Sequence, residues 1–270
     1  MHEKDIQRPG DEGAGTTPPP FRLDGEVALV TGSYRGLGYS IARGFARAGA
    51  AVVINGRDGA AVEAAASVLR EDGLDAYGVA FDVTSAEDID RGLRKIEKGP
   101  GPPTILVNNA GIIRRAPMLE MEEQEWRAEV DINLTGPFLV ARRVVPGMIE
   151  AGRGKIINIC SVLTEVARAS VAGYASTKAG LKLLTQSMAT EWGAHNIQAN
   201  GIGPGFFATE MTGPLQENRE FDTWLRGRVP AGRWGRPEEL VGPAVFLASR
   251  ASDFVNGHVL YVDGGLLARM

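Results

Sequence analysis

The pattern that most limits how this chain folds is a regular alternation of short apolar runs with longer segments that carry apolar residues at helical spacing. The runs are continuously apolar, as in AAVVINGR (50–57), and do not alternate with polar residues. Continuous apolar runs are typical of strands that are buried on both faces of a sheet. The helical segments, such as YSIARGFARAG (39–49), often close on a glycine. The alternation therefore predicts a parallel sheet with helices on both faces.

Seven strands and six helices follow from this pattern. The predicted strands cover 26–32, 50–57, 76–83, 104–111, 155–161, 197–205 and 258–265. The predicted helices cover 39–49, 59–73, 85–98, 123–152, 173–193 and 237–249. The fold class is therefore α/β, a single domain over 21–270 with a Rossmann-type, doubly wound sheet of about seven parallel strands. In such a fold, ligands bind outside the carboxyl ends of the strands.

Two stretches fall outside this alternation. Residues 1–20 contain almost no apolar side chains and end in three prolines, so we predict a disordered N-terminal tail. Residues 206–236 lie between the sixth strand and the last helix, at the ligand-facing edge of the sheet. A long insert in that position predicts a substrate lid.

Charge and composition argue against several classes of protein. The formal net charge is −4 and no basic run stands out, so we expect no nucleic-acid partner. No apolar stretch reaches about 18 residues, so we expect no membrane span. Cys160 is the sole cysteine, which indicates a reducing, cytoplasmic compartment, and strand alternation turns it away from Ser161 as a buried small hydrophobe. His2, His195 and His258 are scattered, so we predict no catalytic metal.

The turn after the first strand, TGSYRGLG (31–38), is rich in glycine and leads into the first helix. Residues without a Cβ let backbone N–H groups approach a pyrophosphate at a helix N-terminus. The spacing is G-x-x-x-G-x-G, which differs from the commoner G-x-G-x-x-G motif, and a purely structural turn is the alternative. The predicted cofactor contacts in this turn are Gly32, Ser33, Arg35, Gly36, Leu37 and Gly38.

The end of the second strand indicates which dinucleotide binds. A carboxylate there would hold the ribose hydroxyls of NAD, but this chain has Asn55 and Arg57. Arg57 and Arg35 suit a 2′-phosphate, although either side chain could simply face solvent. Asp82 and Val83, at the end of the third strand, are placed to meet the adenine, with helix capping as the alternative for Asp82. We predict NADP(H) and leave NAD(H) open.

The stretch GYASTK (173–178) places Tyr174 and Lys178 four residues apart, on one face of a helix. The simpler interpretation is a surface tyrosine that packs on a lysine stem. A free phenol has a pKa of about 10, and a nearby ammonium would stabilise the phenolate and lower that pKa. The position of the pair, directly after the fifth strand, favours a role in proton transfer.

Taken together, these motifs resemble the short-chain dehydrogenase/reductase family. The resemblance rests on TGSYRGLG, NNAG (108–111), Asn133, Ser161 and the Tyr174-x-x-x-Lys178 pair, in this order, and covers 21–270. Longer stretches, among them NNAGIIRRAPM and HNIQANGIGPGFFATEMT, are similar to the gluconate 5-dehydrogenase subgroup. The 2-deoxy-gluconate 3-dehydrogenases and the 3-oxoacyl carrier-protein reductases share much of the same pattern.

The resemblance implies a role for each catalytic residue. Tyr174 is the acid/base, and Lys178 is its cation and a donor to the nicotinamide ribose. Ser161 polarises the substrate carbonyl, and Asn133 holds a water that links Lys178 to solvent. A polar residue in mid-helix could also simply bond the backbone. The remaining cofactor contacts that the family implies are Asn109, Gly111, Pro204, Gly205, Phe207 and Thr209, beside Tyr174 and Lys178.

The substrate implied is a small sugar acid, and the activity is the interconversion of D-gluconate and 5-dehydro-D-gluconate. A guanidinium matches a carboxylate, so Arg114 and Arg115 are substrate candidates, with a solvated loop pair as the alternative. Glu165 is a candidate acceptor for sugar hydroxyls, Arg168 is a further candidate, and Ser161 and Tyr174 meet the oxygen on the reacting carbon. A 3-oxoacyl thioester reductase and a non-catalytic nucleotide-binding scaffold are the rival functions. The family also implies a homotetramer.

Overall fold

The computed structural model describes residues 20–269, and these form one seven-stranded parallel sheet with helices on both faces. The strand order is β3-β2-β1-β4-β5-β6-β7, in which the chain runs outward from β1 in one direction and then from β4 in the other. This is the doubly wound arrangement that the sequence predicts, and the fold class is confirmed. The tail predicted over residues 1–20 lies outside the described residues, except for Pro20.

Each predicted strand is present, with bounds that are shorter than predicted for most of them. The strands are β1 Val27–Val30, β2 Ala51–Gly56, β3 Ala76–Ala80, β4 Ile105–Asn108, β5 Gly154–Ile159, β6 Ile197–Pro204 and β7 Val259–Val262. The helices are α1 Gly36–Arg47, α2 Gly59–Glu71, α3 Ala86–Lys98, α4 Glu123–Val130, α5 Gly136–Glu150, α6 Ala172–Trp192, α7 Gly213–Glu217, α8 Arg219–Arg228 and α9 Val241–Ala248.

Two apolar layers hold the helices to the sheet. One layer packs α1, α2 and α9 on one face, and it includes Phe45 and the strand residue Val30. The other packs α3, α5 and α6 on the opposite face, and it includes Met148 and the strand residue Leu29. Val30 and Leu29 are neighbours in β1 and point to opposite faces, as the period of two in a strand requires. Because both faces are covered, the ligand-facing edge is where functional side chains can reach solvent.

The segment predicted to be mostly helical over 123–152 is helical from 123 to 150, with one local change of helix type. Between α4 and α5 the chain takes one π-helical turn, Asp131–Thr135, that contains Asn133. Pro137, in the first turn of α5, has no N–H to donate to the Asn133 carbonyl four residues earlier. The change therefore falls where a proline removes a helical hydrogen bond, and π-turns of this kind are frequent at functional sites.

The insert at 206–236 folds into the short helices α7 and α8 above the edge of the sheet. Its two ends meet, because Ala208 N donates a 2.8 Å hydrogen bond to Gly235 O and Gly235 N donates a 2.9 Å bond to Phe206 O. Phe206, Phe221 and Trp234 pack against one another inside it, with ring centroids 5.6–6.2 Å apart. Movement of this insert as a lid stays a prediction. Over residues 20–269, no helix has the length and apolar character to cross a membrane.

Candidate active site

The predicted site residues follow the carboxyl ends of neighbouring strands in the centre of the sheet. The glycine turn follows β1, Asn109 follows β4, Ser161 lies just beyond β5, and β6 ends at Pro204. These four strands are adjacent in the order β1-β4-β5-β6. The topology therefore brings the proposed cofactor turn and the proposed catalytic residues to one edge.

The start of α6 brings Tyr174 and Lys178 together. The Nζ atom of Lys178 lies 5.5 Å from the centre of the Tyr174 ring and donates a 2.6 Å hydrogen bond to the Ile159 carbonyl oxygen. Lys178 is only 4% exposed, although it carries an ammonium group. Thr177, between them, donates from its hydroxyl to the Tyr174 carbonyl oxygen at 2.8 Å. The half-buried phenol and the buried ammonium thus share one helical face, which argues against a solvated surface pair.

Ser161 lies in the turn that directly follows β5. Its Oγ accepts a 3.1 Å hydrogen bond from Leu163 N, and its own N–H donates to Thr164 Oγ1 at 3.2 Å. These two hydrogen bonds fix the backbone of the turn. Because the Ser161 Oγ only accepts in this pair of bonds, its hydroxyl proton can be donated to another group. Cys160 is 1% exposed and packs with Leu181, so the predicted buried small hydrophobe is confirmed. Burial raises the pKa of the Cys160 thiol to about 11, which makes it a poor nucleophile.

Burial sets the protonation of Tyr174 and Lys178 in the chain itself. Desolvation raises the pKa of Tyr174 to about 12, and the Ser161 hydroxyl opposes this shift. Desolvation lowers the pKa of the Lys178 ammonium to about 8. Desolvation is the largest influence on the Tyr174 pKa in the chain alone, so the lowering of that pKa by Lys178 and a bound nicotinamide ring stays a prediction. Tyr174 is protonated at neutral pH and has a proton to donate.

Asn133, in the π-helical turn, connects α5 to the segment after β4. Its Oδ1 accepts a 2.8 Å hydrogen bond from Ile112 N, and its Nδ2 donates to Ile112 O at 2.9 Å and to Thr177 Oγ1 at 3.2 Å. A Cβ on Gly111 would lie 3.2 Å from Asn133 Oδ1 and 3.8 Å from Lys178 Nζ. Asn133 is therefore close to Lys178, but its side chain is engaged with the backbone. The predicted water relay stays a prediction.

The glycine turn fits a phosphate group at the start of α1. Gly36 has a φ of +61°, and no described atom lies within 4 Å of the place where its Cβ would stand. Over residues 20–269, no side chain caps α1, and its first turn contains no acidic residue. Open space beside free N–H groups at a helix N-terminus is suited to an anion. Gly38 has a different role, since a Cβ there would lie 2.4 Å from Asn109 Nδ2.

Two asparagine side chains, the buried Asn55 and the half-buried Asn109, hold this turn. Asn55 Oδ1 accepts from Gly32 N at 3.3 Å, and Asn55 Nδ2 donates to Val79 O at 3.1 Å and to Phe81 O at 3.3 Å. Asn109 Nδ2 donates to Gly32 O at 2.9 Å. The Asn55 side chain is thus used inside the protein. These bonds shape the turn, and the predicted contact of Asn55 with the cofactor stays a prediction.

Two further residues of the turn point inward. Ser33 is buried, and its hydroxyl donates a 2.6 Å hydrogen bond to Val30 O and accepts from Asn55 N. Leu37 packs on the apolar layer beneath α1. The Ser33 hydroxyl is used inside the protein, so a contact of Ser33 with a dinucleotide would come from its backbone, whereas the Leu37 side chain is half-buried.

The predicted phosphate-binding arginines are exposed at the outer end of the turn. Arg57 lies just beyond β2. Arg35 forms a 2.9 Å ion pair with Glu210 of the 206–236 insert, and its guanidinium lies 5.2 Å from the centre of the Tyr34 ring. Sequence reasoning missed both Tyr34 and Glu210. The Arg35–Glu210 pair joins the glycine turn to the insert.

At the end of β3, the side chains of Asp82 and Val83 contact other groups of the protein, which the sequence did not predict. Asp82 Oδ1 accepts from Thr84 N at 2.9 Å and from Thr84 Oγ1 at 2.7 Å, and Ser85, not Asp82, caps α3. Val83 is buried against Gly136. A contact between Asp82 or Val83 and an adenine ring stays a prediction.

The segment after β6 is held mainly through its backbone. Gly205 N donates to Val262 O at 2.9 Å, and a Cβ on Gly205 would lie 2.7 Å from Asp263 Cα. The Phe207 side chain is buried in the core, and Thr209 begins a single turn of 3₁₀ helix. With Pro204 as the last strand residue, this arrangement leaves backbone groups as the predicted contacts with the nicotinamide.

The predicted substrate residues differ in whether their charged side chains form ion pairs. Arg114 and Arg115 are exposed on the segment after β4, while Arg168 is half-buried and lies 5.4 Å from the centre of the Phe221 ring. Among residues 20–269, none of these three guanidiniums forms an ion pair. Glu165 is engaged, because it pairs with Lys182 at 2.5 Å.

Glu165 also accepts a hydrogen bond from the Tyr261 hydroxyl, and the bonds from Lys182 and Tyr261 hold the pKa of its carboxyl below the ordinary value. Two protein partners leave it less available to a sugar than its sequence position suggests, so this contact stays a prediction. Over the described chain, no group of three or more His, Cys, Asp or Glu residues is placed to hold a metal ion.

Comparison with known proteins agrees with this geometry. Residues 32–267 match the family model described as enoyl-(acyl carrier protein) reductase. The gluconate 5-dehydrogenase of Gluconobacter oxydans is 51% identical over 249 residues, which cover 92% of this chain and 97% of that protein. The chain belongs to the short-chain dehydrogenase/reductase family. It is an oxidoreductase of this family, as its motifs predict.

Two further members of the family are similarly close. The 2-dehydro-3-deoxy-D-gluconate 5-dehydrogenase of Formosa agariphila is 49% identical over 250 residues, which cover 92% of this chain and 95% of that protein. A crystal structure of a gluconate 5-dehydrogenase from Burkholderia cenocepacia, in complex with NADP and tartrate, superposes with a TM-score of 0.91. It is 49% identical and covers 93% of this chain and 98% of that chain.

Proposed function

We propose that this dehydrogenase/reductase interconverts D-gluconate and 5-dehydro-D-gluconate with NADP(H). The observation that carries the proposal is Tyr174 over the buried Lys178, beside Ser161, at the strand edge that also carries the glycine turn. The relatives named gluconate 5-dehydrogenase support the substrate, and the NADP in the related Burkholderia cenocepacia structure supports the cofactor. In this chain, Gly36, the uncapped start of α1, Arg35 and Arg57 would hold that cofactor.

In the direction of reduction, the chain must donate a proton to the carbonyl oxygen of the substrate. NADPH, when bound, supplies the hydride. Tyr174 donates the proton, since its phenol remains protonated at neutral pH. The Ser161 hydroxyl polarises the carbonyl, because its proton is free while its oxygen accepts from Leu163 N. Lys178 stabilises the phenolate that forms, from a position fixed by the Ile159 carbonyl.

Recognition of an acid is assigned to the free guanidiniums. Arg115 and Arg168 lie close enough for Arg115 to help lower the pKa of Arg168, although burial is the larger cause. Two cations without a carboxylate partner in the described part of the chain are suited to the carboxylate of a sugar acid. The Phe221 ring of the insert packs on Arg168, and this contact supports a role for 206–236 in closing over the substrate.

A second candidate substrate is 2-dehydro-3-deoxy-D-gluconate, favoured by the Formosa agariphila relative. Both reactions take place at C5 of a six-carbon sugar acid, so the same proton donor and the same carboxylate site serve either substrate. The two acids differ at C2 and C3. Contacts with those two carbons therefore decide between them.

The test is a panel of substrates incubated with the purified full chain: ketones with NADPH or NADH, and the C5 alcohols D-gluconate and 2-dehydro-3-deoxy-D-gluconate with NADP or NAD. We expect NADPH absorbance to fall with 5-dehydro-D-gluconate and to rise, from NADP, with D-gluconate. Turnover only with 2-dehydro-3-deoxy-D-gluconate would favour the second candidate. Turnover only with 3-oxoacyl thioesters, or binding of NADPH without any turnover, would contradict the proposal.

We also propose a cytoplasmic homotetramer, which the family resemblance implies. Large apolar side chains on the surface of three consecutive helices support self-association: Trp126 on α4, Phe138 on α5 and Leu183 on α6. The sole cysteine, Cys160, supports the compartment. Light scattering on the purified chain measures the mass, and a monomer would contradict the assembly. Cell fractionation tests the compartment.

A further inference from the structure

Helix α4 has one buried residue, and that residue is a glutamate. Glu129 is 0% exposed, while the other residues of α4 are exposed or half-buried. Its Oε1 accepts a 2.6 Å hydrogen bond from Arg114 N, and its Oε2 is buried with no hydrogen-bond partner among residues 20–269. A buried carboxylate that is half-satisfied is costly, so packing alone does not account for it.

The bond to Arg114 is the middle one of three that hold the segment after β4. Ile112 N donates to Asn133 Oδ1 at 2.8 Å, Arg114 N donates to Glu129, and Ala116 N donates to Ser170 O at 3.1 Å. Every second N–H of 112–116 thus has a partner from a different element. Arg114 and Arg115 lie between the outer two bonds, so the Glu129 bond determines the path of the backbone that carries them.

Glu129 also faces the residue before the proposed proton donor. A Cβ on Gly173 would lie 2.1 Å from Glu129 Oε2, so the backbone leading to Tyr174 lies directly against this carboxyl group. Burial raises the pKa of the Glu129 carboxyl, while the Arg114 N–H opposes that shift. One side chain is therefore in contact with both the arginine-bearing segment and the start of α6.

We propose that Glu129 is a positioning residue for the substrate carboxylate: its Oε1, by holding Arg114 N, fixes the 112–116 segment and its arginines at a set place relative to Tyr174. The proposal rests on the proposed function for its substrate. Its essential chemical feature is the acceptor oxygen. An amide oxygen of the same reach should replace it, whereas an alkyl group of similar size should not.

The experiment compares Glu129→Gln, which keeps an acceptor, with Glu129→Leu, which removes it, in the intact chain. Glu123→Leu makes the second change at an exposed position of the same helix and is the control. For Glu129→Leu we expect the KM for 5-dehydro-D-gluconate to rise about tenfold while NADPH affinity stays within about twofold. For Glu129→Gln we expect a KM within about threefold of that of the unaltered chain.

Amide hydrogen exchange of 112–116 provides a readout that does not depend on the substrate. We expect faster exchange in Glu129→Leu and unchanged exchange in Glu129→Gln. Equal exchange in both variants, an unchanged KM in Glu129→Leu, or equal KM increases in the two variants would overturn the proposal. If Glu129→Leu does not fold, Glu129→Ala takes its place with the same expectations. If the unaltered chain does not turn over the sugar acid, the proposed function fails, and the exchange experiment still decides the role of Glu129.

Discussion

Two neighbouring regions of the ligand-facing edge differ sharply in how their polar groups are held. Lys178 and Asn133 are almost completely buried and each has a backbone partner, and Tyr174 beside them is half-buried. A few residues away, Arg115 is exposed and Arg168 is half-buried, and neither forms an ion pair within residues 20–269. We call these the catalytic region and the arginine region.

The difference shows how chemistry and selectivity are divided between the two regions. Proton transfer needs a fixed geometry and pKa values set by burial, and buried groups supply both. Recognition of a carboxylate needs cations that are not already neutralised, and exposed arginines supply those. Changes in the catalytic region should therefore affect turnover of any ketone. Changes in the arginine region should affect only acidic ones.

The largest effect is expected from Tyr174→Phe. Removing the hydroxyl removes the proton donor and should lower kcat by about a thousandfold, within the range typical of general acid–base catalysis. NADPH affinity, measured by fluorescence titration, should stay within about twofold. Tyr77→Phe, on the outer strand β3, is the matched control and should retain full activity. A Tyr174→Phe variant with retained turnover would refute the role of the phenol.

Lys178→Met should change how stability depends on pH. In the folded chain the Lys178 pKa is lowered to about 8, below its ordinary value of 10.5. Between these pH values the unfolded chain binds more protons than the folded chain, so the free energy of unfolding rises with pH, by about 3 kcal/mol from this group. We expect that rise to be absent in Lys178→Met and present in the exposed control Lys95→Met. Urea denaturation at several pH values measures it, and parallel curves for all three chains would contradict the buried-ammonium account.

Arg168→Gln tests the arginine region. A hydrogen bond between charged groups is worth about 1.5–3 kcal/mol, so the KM for 5-dehydro-D-gluconate should rise by about 10- to 100-fold. The kcat should change by less than about threefold, because the proton donor is untouched. Arg94→Gln, an exposed arginine on α3, is the control. An unchanged KM would remove Arg168 from the carboxylate site.

A smaller effect is expected at the cofactor end. Arg57→Ala should weaken NADPH binding by about tenfold and leave NADH binding nearly unchanged, because only NADPH carries the 2′-phosphate. Arg47→Ala, at the opposite end of α1, is the control. Fluorescence titration with the two dinucleotides measures both affinities, and an equal loss for NADPH and NADH would contradict the predicted phosphate contact.

The fold and the placement of Tyr174 beside Lys178 were predictable from local patterns, whereas the roles of Ser161 and Asn133 follow from the family resemblance. Continuous apolar runs such as 50–57 identify strands buried on both faces, and the four-residue spacing of Tyr174 and Lys178 places them on one helical face. The sequence did not predict the π-helical turn at Asn133, because the helical spacing of apolar residues continues through it. Pro137 was the only local signal of the change.

The other features that the sequence did not predict depend on contacts between residues that are far apart in the chain. Nothing near Asn55 indicates that its side chain holds Gly32 and β3, because those partners come from other strands. Glu129 looks like one more acidic residue of an exposed helix until the fold brings Arg114 and Gly173 to it. In the same way, the sequence shows Lys178 near Tyr174 but not the desolvation that raises the pKa of the phenol in the chain alone.

The division between the two regions is tested most directly by comparing two ketones that differ in one group. L-Sorbose carries CH₂OH where 5-dehydro-D-gluconate carries the carboxylate. For the unaltered chain and the double variant Arg115→Gln/Arg168→Gln, kcat/KM is measured with both ketones. We predict that the variant loses at least about tenfold on the acid and less than about threefold on L-sorbose. An equal loss on both ketones would contradict the claim that the arginine region selects the substrate while the catalytic region performs the reaction.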